Sequence, residues 1–589
     1  MERVEITPEM MKAARGDAPA DLILSNARVV NVFTGEVLPA NIAVFGGRVI
    51  GVGDLTDARE VVDVRGAHVG PGFIDAHMHV ESTMLPVSGF AGLAVPRGTT
   101  GAVFDPHEIA NVLGIEGIRW LMRDAEDAPM NARFAVSSCV PSSPLETAGA
   151  CLSARDLEPL FDDERVVALA EMMNFPGVFM GDQGVLEKVN LGLRKRMVDG
   201  HSPGLRGRNL GAYVAAGISS DHECTTIEEA REKLRLGMRV FIREGSAARN
   251  LEALLPLVTP ATRTRFCFCT DDRHPGDLRD EGHIDHVVRK AIRLGMDPVM
   301  AIACGSLHTA EHFRLWGPGG RLGAVAPGYQ ADLVVFDELN EPRAKMVFVG
   351  GKLVARDGEL VHAAKAPVRV DRWAGIRLGE TVKLPRELDE ESFRVPVKGA
   401  GAKKIRVIVM DPHQIVTGEA VVEARVEGGA YVADPGRDVL KLCVIERHRA
   451  TGNIGRGFVR GFGFKGGALA STVGHDSHNL AVVGSNDRDM LVAARALEKA
   501  GGGQCVVRGG EVLALLPLPI AGLMSDQPAA VVIEQQKKLL EASRAIGCPH
   551  HDPFMPLSFL PLPVIPKLKL TDLGLVDVEK FAVVGLEAD

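Results

Sequence analysis

A chain of 589 residues is too long for one ordinary hydrophobic core, so three or four domains are expected. Its 46 % hydrophobic content excludes a disordered chain, and a formal charge of −9 with no basic block argues against nucleic acid or an anionic membrane as partner. No stretch of about 18 apolar residues reads as a transmembrane helix, and the start, MERVEITPEMMKAARGD, lacks the apolar core of a signal peptide.

In chain order, residues 20–68 read as short strands with turns. The segment 323–365 resumes that style, with Gly350-Gly351 as a hairpin signal. We therefore expect a small β-rich domain built from two pieces, 1–68 and 321–366. Between them, 69–320 alternates strands and helices, with strand ends at His79, Asp105, Cys139, Glu171, His201, His222, Glu244 and Asp271. Helical stretches such as Ile227–Leu236 and His283–Leu294 intervene or follow. Eight strands alternating with helices over 200–250 residues is the (β/α)8 barrel pattern, whose active residues sit at the C-terminal strand ends.

Residues 367–589 read as an α+β domain entered through a charged linker, Leu384 to Phe393. Strands are expected at 405–410, 439–448 and 480–484, and helices at 487–500 and 526–546. Gly461-x-Gly463-x-x-Gly466 matches a dinucleotide fingerprint only formally: it lacks a strand–turn–helix context and reads as turn and hairpin. The polar run Gly474 to Asn479 (GHDSHN) stands out in a small-residue segment and reads either as a solvated loop or as part of a pocket. The nine cysteines are scattered, and Cys267 and Cys269 alternate within one strand. They read as reduced, mostly buried thiols of a cytoplasmic protein.

The chemistry concentrates at the strand ends. His77 and His79 are two residues apart, so a strand aims both at one side, where they can grip one ion. Glu171 ends the apolar run VVALAE, His201 follows MVDG, His222 lies in ISSDHE and Asp271 ends RFCFCTD. Imidazole nitrogen and carboxylate oxygen together suit Zn²⁺, Mn²⁺ or Fe²⁺. An isolated histidine is more often structural, but six such residues at five strand ends of one pattern point to a metal site. Glu171 is the natural carboxylate bridge between two ions. Asp271 could touch one ion and accept a proton from the attacking water.

Five segments then resemble one family. HVGPGFIDAHMHVES (68–82) resembles the first barrel strand of the amidohydrolase superfamily. FDPHEIANVLG (104–114), VFIREGSAARN (240–250), TDDRHPGDLRDEGHIDHVVRKAI (270–292) and GFGFKGGALASTVGHDSHN (461–479) resemble the bacterial adenine deaminases. The resemblance implies two divalent ions held by His77, His79, Glu171, His201, His222 and Asp271. Many superfamily members carry a carboxylated lysine on strand four, where this chain has Glu171, as adenine deaminases do. One departure is CGSLHTAEH (304–312), where adenine deaminases often read ATLNPA; it lies beyond the expected ligands.

The implied reaction is adenine plus water to hypoxanthine plus ammonia, with a metal-activated hydroxide attacking C6. Ring nitrogen N1 must gain a proton, for which a carboxylic acid with a burial-raised pKa is suited. Glu108 is the first candidate and Glu81 the second. Catalytic roles fall to Asp271, Glu108 and His222, and substrate contacts to Asp105, His107, Glu81, Asp272, His475, Asp476 and His478. The C-terminal domain is expected to close over the barrel mouth through His475, Asp476 and His478. A homo-oligomer, dimer or larger, is expected. Competing readings are another cyclic amide or aminopurine hydrolase, an N-acetyl sugar deacetylase, and a scaffold without activity; release of ammonia, release of acetate and metal content separate them.

Overall fold

The structure is a computed structural model that describes residues 4–246, 248–362, 372–397, 403–412 and 414–588. The expected boundary at 366/367, and residue 247 within the 240–250 motif, lie outside the described residues.

Eight parallel strands form the centre: β1 Phe73–Met78, β2 Thr99–Phe104, β3 Asn131–Val136, β4 Val166–Met172, β5 Val198–Gly200, β6 Ser220–Asp221, β7 Arg239–Arg243 and β8 Phe266–Cys269. Their residues are buried almost throughout, which is why β4 (VVALAEM) and β8 (FCFC) read as apolar runs rather than alternating ones. Strands β1 to β5 pair in one sheet and β6 to β8 in another. The sheets meet where Met78 pairs with Asp271, with main-chain bonds from His79 N to Asp271 O (3.2 Å) and from Asp271 N to His77 O (3.0 Å). Among the described residues no ladder joins β5 to β6. Side chains span that seam instead: Ser202 N–H and Oγ donate to Asp221 Oδ1 (2.7 and 2.8 Å), and Ser220 donates to Asp199. Helices follow as expected, at Ile227–Arg235 and Ile284–Arg293, the former capped by the Thr226 side chain on Glu229 N.

The two β-rich pieces form one nine-stranded sheet. His68–Pro71 pairs antiparallel with Leu333–Phe336, with Leu333 opposite Pro71 and Phe336 opposite His68, so the second piece docks on the chain just before β1. Gly350 and Gly351 turn the hairpin between Met346–Val349 and Lys352–Arg356, both at positive φ, where glycine carries no steric cost.

The C-terminal domain holds a second nine-stranded sheet. In its strand Leu440–Ile445, Leu440, Leu442 and Val444 join the core packed with helix Ala529–Ala545, whereas Cys443 and Ile445 join the core packed with helix Asp487–Ala500. Both faces are covered, so this strand reads as an apolar run broken only by Lys441. The stretch 384–393 is not a free linker: Leu384, Leu388 and Phe393 are buried against Met490 and Leu497. Its charges face outward while apolar residues spaced four and five apart pin it down. Residues 461–467 form a loop between strands Ile454–Arg460 and Ala468–Ser471, in keeping with the rejected nucleotide motif. All nine cysteines are free, and eight are buried.

Candidate metal centre and active site

Residues at the C-terminal ends of seven of the eight strands, all but β3, line one cavity. His77 and His79 bring their Nε2 atoms to 3.2 Å of one another. Each faces Asp271 Oδ1, at 3.8 and 3.2 Å. The His77 ring stacks on that of His222, 4.0 Å between centroids, and its Nδ1 lies 3.5 Å from the buried Asp199 carboxylate, which orients it from behind. Glu171, from the end of β4, divides its two oxygens. Oε1 lies 3.4 Å from His79 Nε2 and 3.3 Å from His107 Nδ1; Oε2 lies 2.7 Å from His201 Nδ1 and 3.1 Å from His222 Nε2. Burial opposes its ionisation, but His201, His222 and His79 outweigh burial and hold its carboxyl well below the usual range.

Asp271 follows β8 in left-handed backbone (φ 58°), pinned by the two main-chain bonds to β1. Its second oxygen takes a 2.6 Å hydrogen bond from Arg243 Nη1, and Arg243 also pairs with Glu223. Burial penalises the Asp271 anion, but Arg243 and His79 more than offset this and its pKa falls well below the ordinary value.

The C-terminal domain completes the cavity. His475 Nδ1 sits 2.8 Å from Glu108 Oε1, His478 Nε2 contacts the other Glu108 oxygen, and Asp476 lies 3.8 Å from His107 Nε2. The polar run 474–479 is thus buried in the site rather than solvated. Burial raises the cost of a Glu108 anion, yet His475 and His478 hold it ionised, well below its ordinary pKa. This departs from the expected burial-raised acid. The proton of the pair rests on His475 instead: burial disfavours its cation, but Glu108 and nearby carboxylates push its pKa up to about 9.

This geometry can be set beside known proteins. Residues 69–354 match the amidohydrolase family, and residues 414–582 match the adenine deaminase C-terminal domain. The chain is 48 % identical to an adenine deaminase of Desulfatibacillum aliphaticivorans, over 99 % of this chain and 100 % of that one. It is 46 % identical to one of Dehalococcoides mccartyi, over 98 % of this chain and 99 % of that one. The chain belongs to the adenine deaminase family. As a member it is a metal-dependent hydrolase acting on C–N bonds.

The donor set fits that membership. His77, His222 and Asp271 form one group, and Glu171, His201 and His222 another; within each, the ligand atoms lie within 4.8 Å of one another. Imidazole and carboxylate are the donors that borderline and hard divalent ions take, so these residues fit a divalent metal centre.

The expected site residues separate into layers. His79, His107, Glu108, Glu171, His201, His222, Asp271, Asp272, His475 and Asp476 line the cavity. His77 lies beneath it, fully buried. Asp105, Glu81 and His478 stand behind the wall rather than in it. Asp105 accepts from His107 Nδ1 (3.1 Å), Glu81 accepts from Ile109 N (3.1 Å), and His478 backs Glu108. Burial and the nearby Glu108 push Glu81 up to about 7. Sequence reasoning missed Glu223 and Arg243, which adjoin a ligand and end a strand, and whose position alone could have raised them. It also missed the apolar side chains Met173, Ile415, Phe559, Leu562 and Ile565 that line the same cavity.

Proposed function

We propose that this protein hydrolyses adenine to hypoxanthine and ammonia. The observation that carries the reading is a single buried cavity. It joins five of the six barrel donors, with His77 directly beneath, to the Glu108–His475 pair supplied across the domain seam. Full-length relatives named adenine deaminase support the same substrate.

His77, His79, Glu171, His201, His222 and Asp271 would hold two divalent ions, Mn²⁺, Fe²⁺ or Zn²⁺, with Glu171 presenting one oxygen to each side. A divalent ion there supplies Lewis acidity that makes water nucleophilic at neutral pH. Asp271, ionised and braced by Arg243, accepts the proton of the attacking water and returns it to the leaving amine. As C6 becomes tetrahedral, negative charge builds on the ring and N1 must be protonated. Glu108 faces the cavity and shares a proton with His475, so the pair can deliver it; Glu81, turned onto the Ile109 amide, is the weaker candidate. His222 orders the centre beside Glu171, and Asp272, which accepts a 2.5 Å bond from Ser82 Oγ, is a polar contact for the base. Ammonia leaves, C6 keeps the water oxygen, and water's second proton replaces the one that the Glu108–His475 pair gave to N1, so atoms and protons balance.

The test is ammonia release from adenine, other aminopurines and adenosine, with metal analysis of the same sample. We expect adenine to be preferred over adenosine and roughly two ions per fully active chain. Comparable kcat/KM for adenosine, or one ion at full activity, would refute the respective claim. Nine free cysteines favour a cytoplasmic setting, and exposed apolar side chains such as Val512 and Leu513 favour a homo-oligomer, to be read by light scattering.

A further inference from the structure

Lys569 is fully buried in the strand Leu568–Thr571, and among the described residues it has no carboxylate partner. Its Nζ donates to two main-chain oxygens, Ile415 O and Phe559 O, both at 2.9 Å. Burial alone pushes its pKa down to about 7. Either protonation state keeps the two N–H donors that these bonds use. A side chain of the same length without charge would fill the space with no desolvation cost. What the amine adds is direction, and both acceptors belong to residues lining the active-site cavity.

Those residues form a distinct apolar roof. Phe559, Leu562 and Ile565 pack with Met555 in one small cluster, and Ile415 packs against it. His475 stacks face to face on Phe559, 4.3 Å between centroids and 7° between planes. The Ile415 strap runs beside the Lys569 strand, with Thr417 Oγ1 donating to Leu568 O at 2.8 Å. The cavity's polar groups are nearly inaccessible under this roof: His79, Glu171 and His475 are 3, 3 and 4 % exposed.

We propose that Lys569 is a positioning residue, the latch whose two bonds fasten Ile415 to Phe559 and hold the apolar roof shut over the bound substrate. Its kinetic readout rests on the adenine reading given above; its structural readout does not.

The experiment compares full-length wild type with Lys569→Met. Hydrogen–deuterium exchange, without substrate, should quicken in 414–417 and 554–569 while the strands β1 to β8 stay unchanged. With adenine, KM should rise about tenfold, because the closed state is less populated, while kcat stays within about threefold. Lys569→Gln, which keeps one donor pair, should fall between the two, and it stands in if the Met variant does not fold. Unchanged exchange in both segments, or kcat falling as much as KM rises, overturns the latch. Wild type inactive on adenine but with the expected exchange pattern would refute the substrate and leave the latch standing.

Discussion

Glu171 and Asp271 on the barrel floor and Glu146 at the domain seam differ in charge state, although all three are buried. On the floor, Glu171 and Asp271 are held ionised because imidazoles and the Arg243 guanidinium crowd around them. At the seam, Glu146 is pushed up to about 8 and Asp476 to about 6, burial being the largest cause in each case. Burial is common to all four, so it does not decide the charge; the neighbours do. The floor keeps anions ready to hold ions and accept protons, whereas at the seam Glu146, with no cation beside it, holds its proton at pH 7 and Glu108, paired with His475, does not.

The sharpest way to break this comparison is Asp271→Asn. The amide preserves shape but cannot accept a proton, and it leaves Arg243 with Glu223 alone. Turnover should fall by about 10²–10⁴ with the fold intact. Assay with excess Mn²⁺ or Zn²⁺ refills a weakened site without restoring a base. Retention of more than about a tenth of wild-type kcat under those conditions would remove Asp271 as proton acceptor.

Next in size is the Glu108–His475 pair, which joins floor to roof. Glu108→Gln and His475→Gln should each cost about 10² in kcat. The double variant should cost little more than either alone, because the two act as one proton-sharing unit. Additive losses would mean that they act separately.

A smaller effect is expected at the roof. Leu562→Ala opens apolar space where adenine needs none. It should raise kcat/KM for adenosine about tenfold relative to adenine, the scale of a few methylenes in an apolar pocket. An unchanged ratio would place the discrimination elsewhere.

Legibility in the sequence follows the same division. His77, His79, Glu171, His201, His222 and Asp271 were readable because each falls at a strand end of one repeating pattern, and alternation puts His77 and His79 on the same side. Parallel strands buried on both faces are also apolar words, as in VVALAEM and FCFC, whereas β5 (VDG) and β6 (SD) were placed by their spacing and the histidine after each. Position beside a ligand or at a strand end could have raised Glu223 and Arg243, but their ion pair between separate strand ends leaves no spacing in the chain. The roof was invisible for another reason: FMPLSFLPLPVIP (554–566) is apolar but broken by prolines, so neither helical nor strand periodicity marks it. His475 was found only as one of a polar cluster. Its bond to Glu108 joins residues 367 positions apart, which pattern reading cannot reach. The linker reading of 384–393 failed because net charge was weighed above the three apolar residues that anchor it.

The subtlest test concerns Glu146 itself. It lies on the loop after β3 that ties barrel to C-terminal domain. Thr147 N donates to Asp572 (2.9 Å), and Thr571 Oγ1 donates to Leu145 O (2.6 Å). Ser142 Oγ donates to the Glu146 carboxyl at 2.5 Å. Its folded pKa, about 8, stands above the ordinary 4.5. Between those values the folded state binds the extra proton, so stability falls as pH rises through this window. Glu146→Gln keeps the acceptor oxygen and removes the titration. Its Tm should match wild type near pH 4.5 and exceed it by a few degrees above pH 8, the gap opening between. A gap that is constant with pH would mean that Glu146 is ionised in the folded protein, and the contrast between floor and seam would fail at that residue.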